Sequence, residues 1–218
     1  MWARYGRRSR DVHAMPRLTR SGLAQAVDEL TLRDPDLRAI VQQFGPLQPW
    51  YRPGGFPTLV YIVFEQQVSL ASAKATFDRV TALLPQFTPQ RYLRLDDDAL
   101  RGAGVSRQKA RYTRLIAEAI IAGELPIDSL HRRSDARARE LLTAVTGIGN
   151  WTADIYLMMA LGRPDLWPTG DLALVKAIQA VKGLSERPDP RWLEKLGGGY
   201  RPFRSVATRI YWHHYLTS

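Results

Sequence analysis

Asp171 closes the loop GRPDLWPTG and opens the apolar helical run LALVKAIQAV. A carboxylate at that junction has two compatible roles. It can cap the helix by accepting a hydrogen bond from a free amide, and it can stabilise positive charge developing on a bound substrate. The dipole and amides of the first turn keep such a group ionised, which the second role needs. Upstream, TAVTGIGNWTADI carries Gly147 and Gly149, which permit positive φ and close backbone approach. Asn150 can cap the helix that follows. A helix start of this kind is an anion site, so the amides of Gly149 and of the first turn, Thr152 included, suit a phosphate. A plain turn between two helices is the other reading of the same glycines.

The elements that must position these groups read as helices almost throughout, because apolar residues recur three and four apart and no alternating segment marks a sheet. Ser21 is predicted to cap a helix to about Leu30, and Asp34-Pro35 to open another that fades at Gly45-Pro46. After the loop QPWYRPGGFP, one long helix is predicted from Thr58 to Pro85. Further helices are expected from Asp96 to Gly102, from Ser106 to Gly123 and from about Ser134 to Val145. The last four run from Asn150 to Leu161, Asp171 to about Lys182, Pro190 to Leu196 and Pro202 to Leu216. The two helices flanking the Gly147–Gly149 turn must lie against each other, since the link is so short. The expected class is all-α. Residues 1–20 are expected to form a basic arm, and 21–218 one domain: 21–57 with 184–218 in one subdomain, 58–183 in the other.

Composition limits what such a site can serve. Lys and Arg total 31 against 21 Asp and Glu, a formal net charge of +10, which suits a polyanionic partner such as nucleic acid. Arg107, Lys109 and Arg111 on one predicted helix, with Arg204 and Ser205 at the start of the last, are candidate phosphate contacts; each is equally readable as a solvated surface group. With no cysteine there is no disulfide, thiolate nucleophile, cysteine-ligated zinc or iron–sulfur cluster. A reducing cytoplasm fits. The apolar run Leu59 to Phe64 ends at Glu65, short of the roughly 20 residues of a membrane span, and the basic start lacks the apolar core of a secretory signal. A soluble protein with no membrane partner is expected. His213 and His214 have no acidic partners at ligand spacing.

Several segments together resemble the helix-hairpin-helix and Gly-Pro-Asp superfamily of DNA base-excision glycosylases. They are GIGNWTA (147–153), Gly170-Asp171, the QQVS-x3-A pattern from Gln66 to Ala73, GVSRQKARY (104–112) and PFRSVATRIYW (202–212). Within the superfamily the chain is most similar to the 3-methyladenine DNA glycosylase II family. Its residue two after the second hairpin glycine is a tryptophan, like Trp151; bifunctional relatives carry a Schiff-base lysine there. The resemblance implies an all-helical glycosylase fold with two helical subdomains flanking an active-site cleft. It implies hydrolysis of the N-glycosidic bond of alkylated purines, of the 3-methyladenine or 7-methylguanine type, in double-stranded DNA.

Residue roles follow from the same resemblance. Asp171, twenty positions after Trp151, matches the catalytic aspartate that stabilises an oxocarbenium-like sugar. Trp151 and Trp212 match aromatic walls of the pocket for the extruded base, with Tyr61 or Phe64 contributing if their helix turns that way. A cationic alkylated purine would favour such rings. Gln67, with Gln66 beside it, matches the wedge that fills the gap left in the duplex; a polar step in a buried helix is the alternative. Backbone carbonyls of Thr143, Val145 and Ile148 match the ligands of a Na+ or K+ ion, and no other cofactor is expected. A tyrosine found in the family four residues after the pocket tryptophan is Ile155 here, which alters the pocket. A monomer is expected, cytoplasmic, with the nucleoid or nucleus as its place of work. Two other functions fit parts of the pattern: a glycosylase for deaminated or oxidised bases, and a non-catalytic hairpin module that only binds DNA.

Overall fold

A computed structural model describes residues 17–48 and 51–217; most of the expected basic arm, 1–16, lies outside them. Every regular element among the described residues is helical. The helices are α1 (Arg20–Arg33), α2 (Pro35–Phe44), α3 (Phe56–Glu65), α4 (Leu70–Ala82), α5 (Pro89–Tyr92), α6 (Asp97–Gly102) and α7 (Arg107–Ile121). After a 3-10 turn, Ile127–Arg132, come α8 (Asp135–Thr143), α9 (Asn150–Met159), α10 (Leu172–Val181), α11 (Pro190–Gly198) and α12 (Arg204–Thr217).

Most starts follow from a short polar side chain that satisfies a free first-turn amide. Asp34, Ser69, Ser106, Ser134 and Asp171 each accept such a bond. The first helix is capped by Thr19, two residues before the expected Ser21.

The long helix expected from Thr58 to Pro85 is instead α3 and α4. The break falls at Gln66–Ser69, where Gln67 takes a left-handed φ of 57° and the Ser69 hydroxyl accepts from the Ser72 N–H to start a new helix. Apolar periodicity continues through the break, so it hid a stop that the serine cap dictates. The short α5 and the 3-10 turn also went unpredicted.

The helices pack in two groups around one continuous core. α3 packs on α4, α7 and α9, and α8 on α9; α12 packs on α1, α2 and α10. By this packing α10 sides with the terminal helices rather than with the 58–183 span in which its sequence position placed it. Leu59, Ile62, Tyr92, Ile116 and Tyr156 are fully buried in the first group, and Leu30, Leu37 and Tyr211 in the second. No helix among the described residues is long and apolar enough to cross a membrane.

Candidate active site

Asp171 sits on the seam between the two groups. It is 7% exposed and caps α10, its Oδ1 accepting from the Leu174 N–H at 2.7 Å. Two tryptophans complete its surroundings. The Trp151 Nε1–H of α9 donates to Oδ2 at 2.7 Å, and the Trp212 Nε1–H of α12 donates to Oδ1 at 2.9 Å. One acid thus collects a donor from each helical group and one from its own helix. A carboxylate offers about four lone-pair directions. Both on Oδ1 are used, so Oδ2 alone keeps one for a water or substrate group.

The preceding loop is clamped at several points. Buried Trp167 donates to the Leu193 carbonyl at 3.0 Å, and its indole lies so close to Gly197 that a Cβ there would come within 2.5 Å of it. The Ser205 hydroxyl accepts from the Leu166 N–H at 2.9 Å, and the Arg204 guanidinium holds the Asp165 carboxylate at 2.8 and 3.0 Å. Fully enclosed Arg163 donates to the carbonyls of Leu130, His131 and Arg133. Arg204 and Ser205, expected as phosphate contacts, therefore hold the loop that delivers Asp171, and Ser205 is buried.

The aromatic residues divide. Trp212 is 8% exposed and Trp151 half-buried, so their place beside the acid combines a ring surface with an N–H donor. Tyr61 is half-buried, with the Arg52 guanidinium 4.4 Å over its ring and Phe77 at 4.8 Å. Phe64 is 1% exposed and belongs to the core, which corrects its expected place in the pocket wall. Ile155 is buried as well.

The hairpin ahead of α9 has one glycine that packing demands and one that it does not. Gly147 has φ +99°, and a Cβ there would stand 2.5 Å from the Tyr112 side chain. Gly149 caps α9 at φ −87°, with nothing within 4 Å of an added Cβ and no side-chain cap. Asn150, the expected cap, is instead the first residue of the helix, and no side chain caps it. The start of α9 thus keeps its amides free while facing open space. Thr152 is 1% exposed, and its hydroxyl accepts from Gln66 Nε2 at 2.9 Å. The same Gln66 amide donates to the Gly147 carbonyl at 3.1 Å. Gln66 is therefore a brace between the α3–α4 turn and the hairpin, and Gln67, Val68 and Ser69 of that turn are exposed. Arg139 of α8 pairs with Asp154 of α9 and locks the two hairpin helices; burial raises Asp154 above the ordinary carboxylate range, opposed by that guanidinium.

Lys109 is also committed. Its ammonium donates to the Phe64 carbonyl at the end of α3, 2.7 Å away, and burial pushes it below the ordinary lysine value. A cation at a helix C-terminus satisfies orphan carbonyls, so this lysine is not a free phosphate contact.

A family model, HhH-GPD superfamily base excision DNA repair protein, matches residues 60–200. The chain belongs to that superfamily. A relative of similar length, the alkylbase DNA glycosidase-like protein mag2 of Schizosaccharomyces pombe, is 25% identical over 199 residues, 88% of this chain and 93% of its own. Among solved structures, the 3-methyladenine DNA glycosylase Mag1 of the same yeast, in complex with abasic DNA, superimposes with a TM-score of 0.80 at 28% identity. That match covers 86% of this chain and 95% of the other. The DNA-3-methyladenine glycosidase of Bacillus halodurans gives 0.74 at 31% identity, covering 91% of each chain.

The hydrogen bonds from Trp151 and Trp212 to the acid are the feature that reading the HhH-GPD motifs alone missed. Its only sequence signal was general: a tryptophan that is mostly buried has to place its N–H on an acceptor.

Proposed function

We propose that the protein is a monofunctional DNA glycosylase that hydrolyses the N-glycosidic bond of alkylated purines in duplex DNA, the first step of base excision repair. The observation that carries this reading is the Asp171 carboxylate, held on the seam by Leu174 N–H, Trp151 and Trp212 with one lone pair left on Oδ2. The names of the similar yeast and bacterial proteins support the substrate class.

The chemistry follows from that arrangement. The open amides of α9 receive a backbone phosphate of the damaged strand. Gln67, on its left-handed turn, enters the stack while the damaged nucleotide swings out, at a cost of a few kcal/mol in unstacking. As the glycosidic bond breaks, its electron pair leaves with the base and positive charge grows at C1′. The Asp171 carboxylate stabilises that charge, and its remaining Oδ2 lone pair orients a water for attack. A purine alkylated at N3 or N7 already carries positive charge, so it departs without a dedicated acid. Position 151 holds an indole, which cannot form a Schiff base, so strand cleavage by an enzyme amine is not expected there. The protein acts as a monomer on one lesion at a time.

The hairpin carbonyls of Thr143, Val145 and Ile148 are neutral oxygen donors of the kind Na+ or K+ prefers, and the Val145 oxygen spends one lone pair on the Ile148 N–H at 3.1 Å, keeping a second. A bound monovalent cation would supply positive charge beside a DNA phosphate.

The deciding measurement is release of free 3-methyladenine from methylated duplex, alongside a panel of deaminated and oxidised lesions. Asp171→Asn should lower release at least about 100-fold, while binding to abasic duplex and the circular-dichroism spectrum persist. Release by that variant at the wild-type rate would reject the mechanism, and release only from deaminated or oxidised bases would reject the substrate class.

A further inference from the structure

A cluster of arginines lies on the other side of α7 from Lys109. A cleft of about 470 Å³ opens between α6 and α7, with Arg101, Arg107, Arg111 and Arg114 facing two carboxylates, Asp97 and Glu118. Its floor is apolar where buried Val105 and Ala110 contribute.

The four guanidinium groups are not equivalent. Arg114 pairs with Asp97 at 2.9 Å and donates to the Leu95 carbonyl, and Arg101 pairs with Asp98. Arg107 and Arg111 are exposed and make no hydrogen bond or ion pair among the described residues. Two unpaired guanidiniums one turn apart, beside the exposed Arg101–Asp98 pair and the half-buried Arg114, form a receptor for an anion carrying several oxygens. An arginine fork matches phosphate geometry better than it matches solvent.

The place of the cleft says which phosphates. Tyr112, on the neighbouring face of α7, packs against Gly147 of the hairpin, and Gln108 donates to the Tyr112 hydroxyl at 2.8 Å. Lys109 on the same helix touches the end of α3, directly before the Gln67 turn. One helix therefore carries the hairpin contact and the wedge contact on one side and the arginine cleft on the other. To reach the cleft, a duplex arm leaving the hairpin and turn has to cross the exposed face of α7 that carries Gln108 and Arg111.

We infer that the Arg101–Arg114 cleft binds the phosphodiester backbone of the duplex arm flanking the lesion, as a subsite separate from the hairpin. The inference rests on the glycosylase reading for the position of the DNA, though not for its chemistry. Its contribution is affinity and register on longer DNA, without base recognition.

The test compares two abasic duplexes with the full chain, using fluorescence anisotropy across a salt series. One is about 12 base pairs, centred on the lesion; the other is about 24, which extends the backbone by roughly 40 Å. Wild type should bind the longer duplex more tightly. Arg107→Gln/Arg111→Gln should bind it roughly tenfold more weakly, with the slope of log affinity against log salt shallower by about 2. The loss should be confined to the longer duplex, and Arg107→Lys/Arg111→Lys should recover most of the slope. Equal binding of both duplexes by wild type, or a glutamine variant indistinguishable from wild type on the longer one, overturns the subsite. Absence of base release from any lesion would reject the glycosylase reading, yet an arginine-dependent length effect would still uphold the cleft.

Discussion

Two indole N–H groups on one carboxylate make the acid's environment a question of hydrogen bonds as much as of ring surfaces. A hydrogen bond to a charged group contributes about 1.5–3 kcal/mol, and Trp212 spends its donor on Oδ1, the oxygen that also caps α10. Trp212→Phe keeps most of the apolar surface and removes the donor, leaving Oδ1 held by the Leu174 N–H alone among the described residues. The single-turnover rate of base release should fall roughly 10- to 100-fold while affinity for abasic duplex changes little. An unaltered rate would mean that the indole only packs. Trp151→Phe leaves Oδ2 with no protein donor among the described residues, and the same measurement should show a fall of similar size, with a further loss in base selectivity because Trp151 is the more exposed ring.

At the level of the element, the hairpin separates conformational need from access. Gly147 is required by its φ of +99° and by the Tyr112 ring that occupies the space of a side chain. Gly147→Ala should cost about 1–3 kcal/mol of stability, lower the melting midpoint and misplace the start of α9. Gly149 has ordinary backbone geometry and open space around it. Gly149→Ala should cost less than about 1 kcal/mol, yet weaken binding to abasic duplex, because its methyl stands where a phosphate must approach the amides. Equal effects of both substitutions on melting would contradict this division of roles. The brace from Gln66 to Gly147 and Thr152 ties the same hairpin to the turn that presents Gln67.

Across the whole molecule, the terminal helices are held by a buried polar cluster built around Lys182, at the opposite end of α10 from the acid. Asp34 caps α2 and accepts from the Lys182 ammonium at 2.9 Å and the Tyr200 hydroxyl at 2.6 Å, with Tyr211 bonded to Tyr200 at 2.8 Å. Burial alone would raise the Asp34 carboxyl, but the bonds from Tyr200, Lys182 and the Asp36 N–H outweigh it and hold it below its usual 3.8. A lowered folded value means that the unfolded chain takes up the proton first. The stability Asp34 contributes is present above the usual carboxylate value and is lost as pH falls through the lowered one. Asp34→Asn should lower stability at neutral pH by about 3 kcal/mol, since it leaves Lys182 with a poorer partner in a half-buried site. The difference in melting midpoint between wild type and variant should shrink as pH drops below the usual carboxylate range; a difference independent of pH would place the effect in packing instead.

Local chemistry was legible in the linear sequence. Helical periodicity, Asp171 as a cap on an apolar helix and the turn at Gly147 depend on residues within a few positions of one another, and family membership rests on those same local motifs. The break between α3 and α4 was nearly legible too, for Ser69 is a cap that the apolar pattern around it concealed. Only the folded chain decided which groups meet. Trp151 and Trp212 lie 20 and 41 positions from Asp171, Gln66 lies 81 from Gly147, and Lys109 lies 45 from the carbonyl it caps. Such partnerships are set by how two helical groups close on each other. A side chain's spacing along the chain carries no information about the acceptor it finds across that seam.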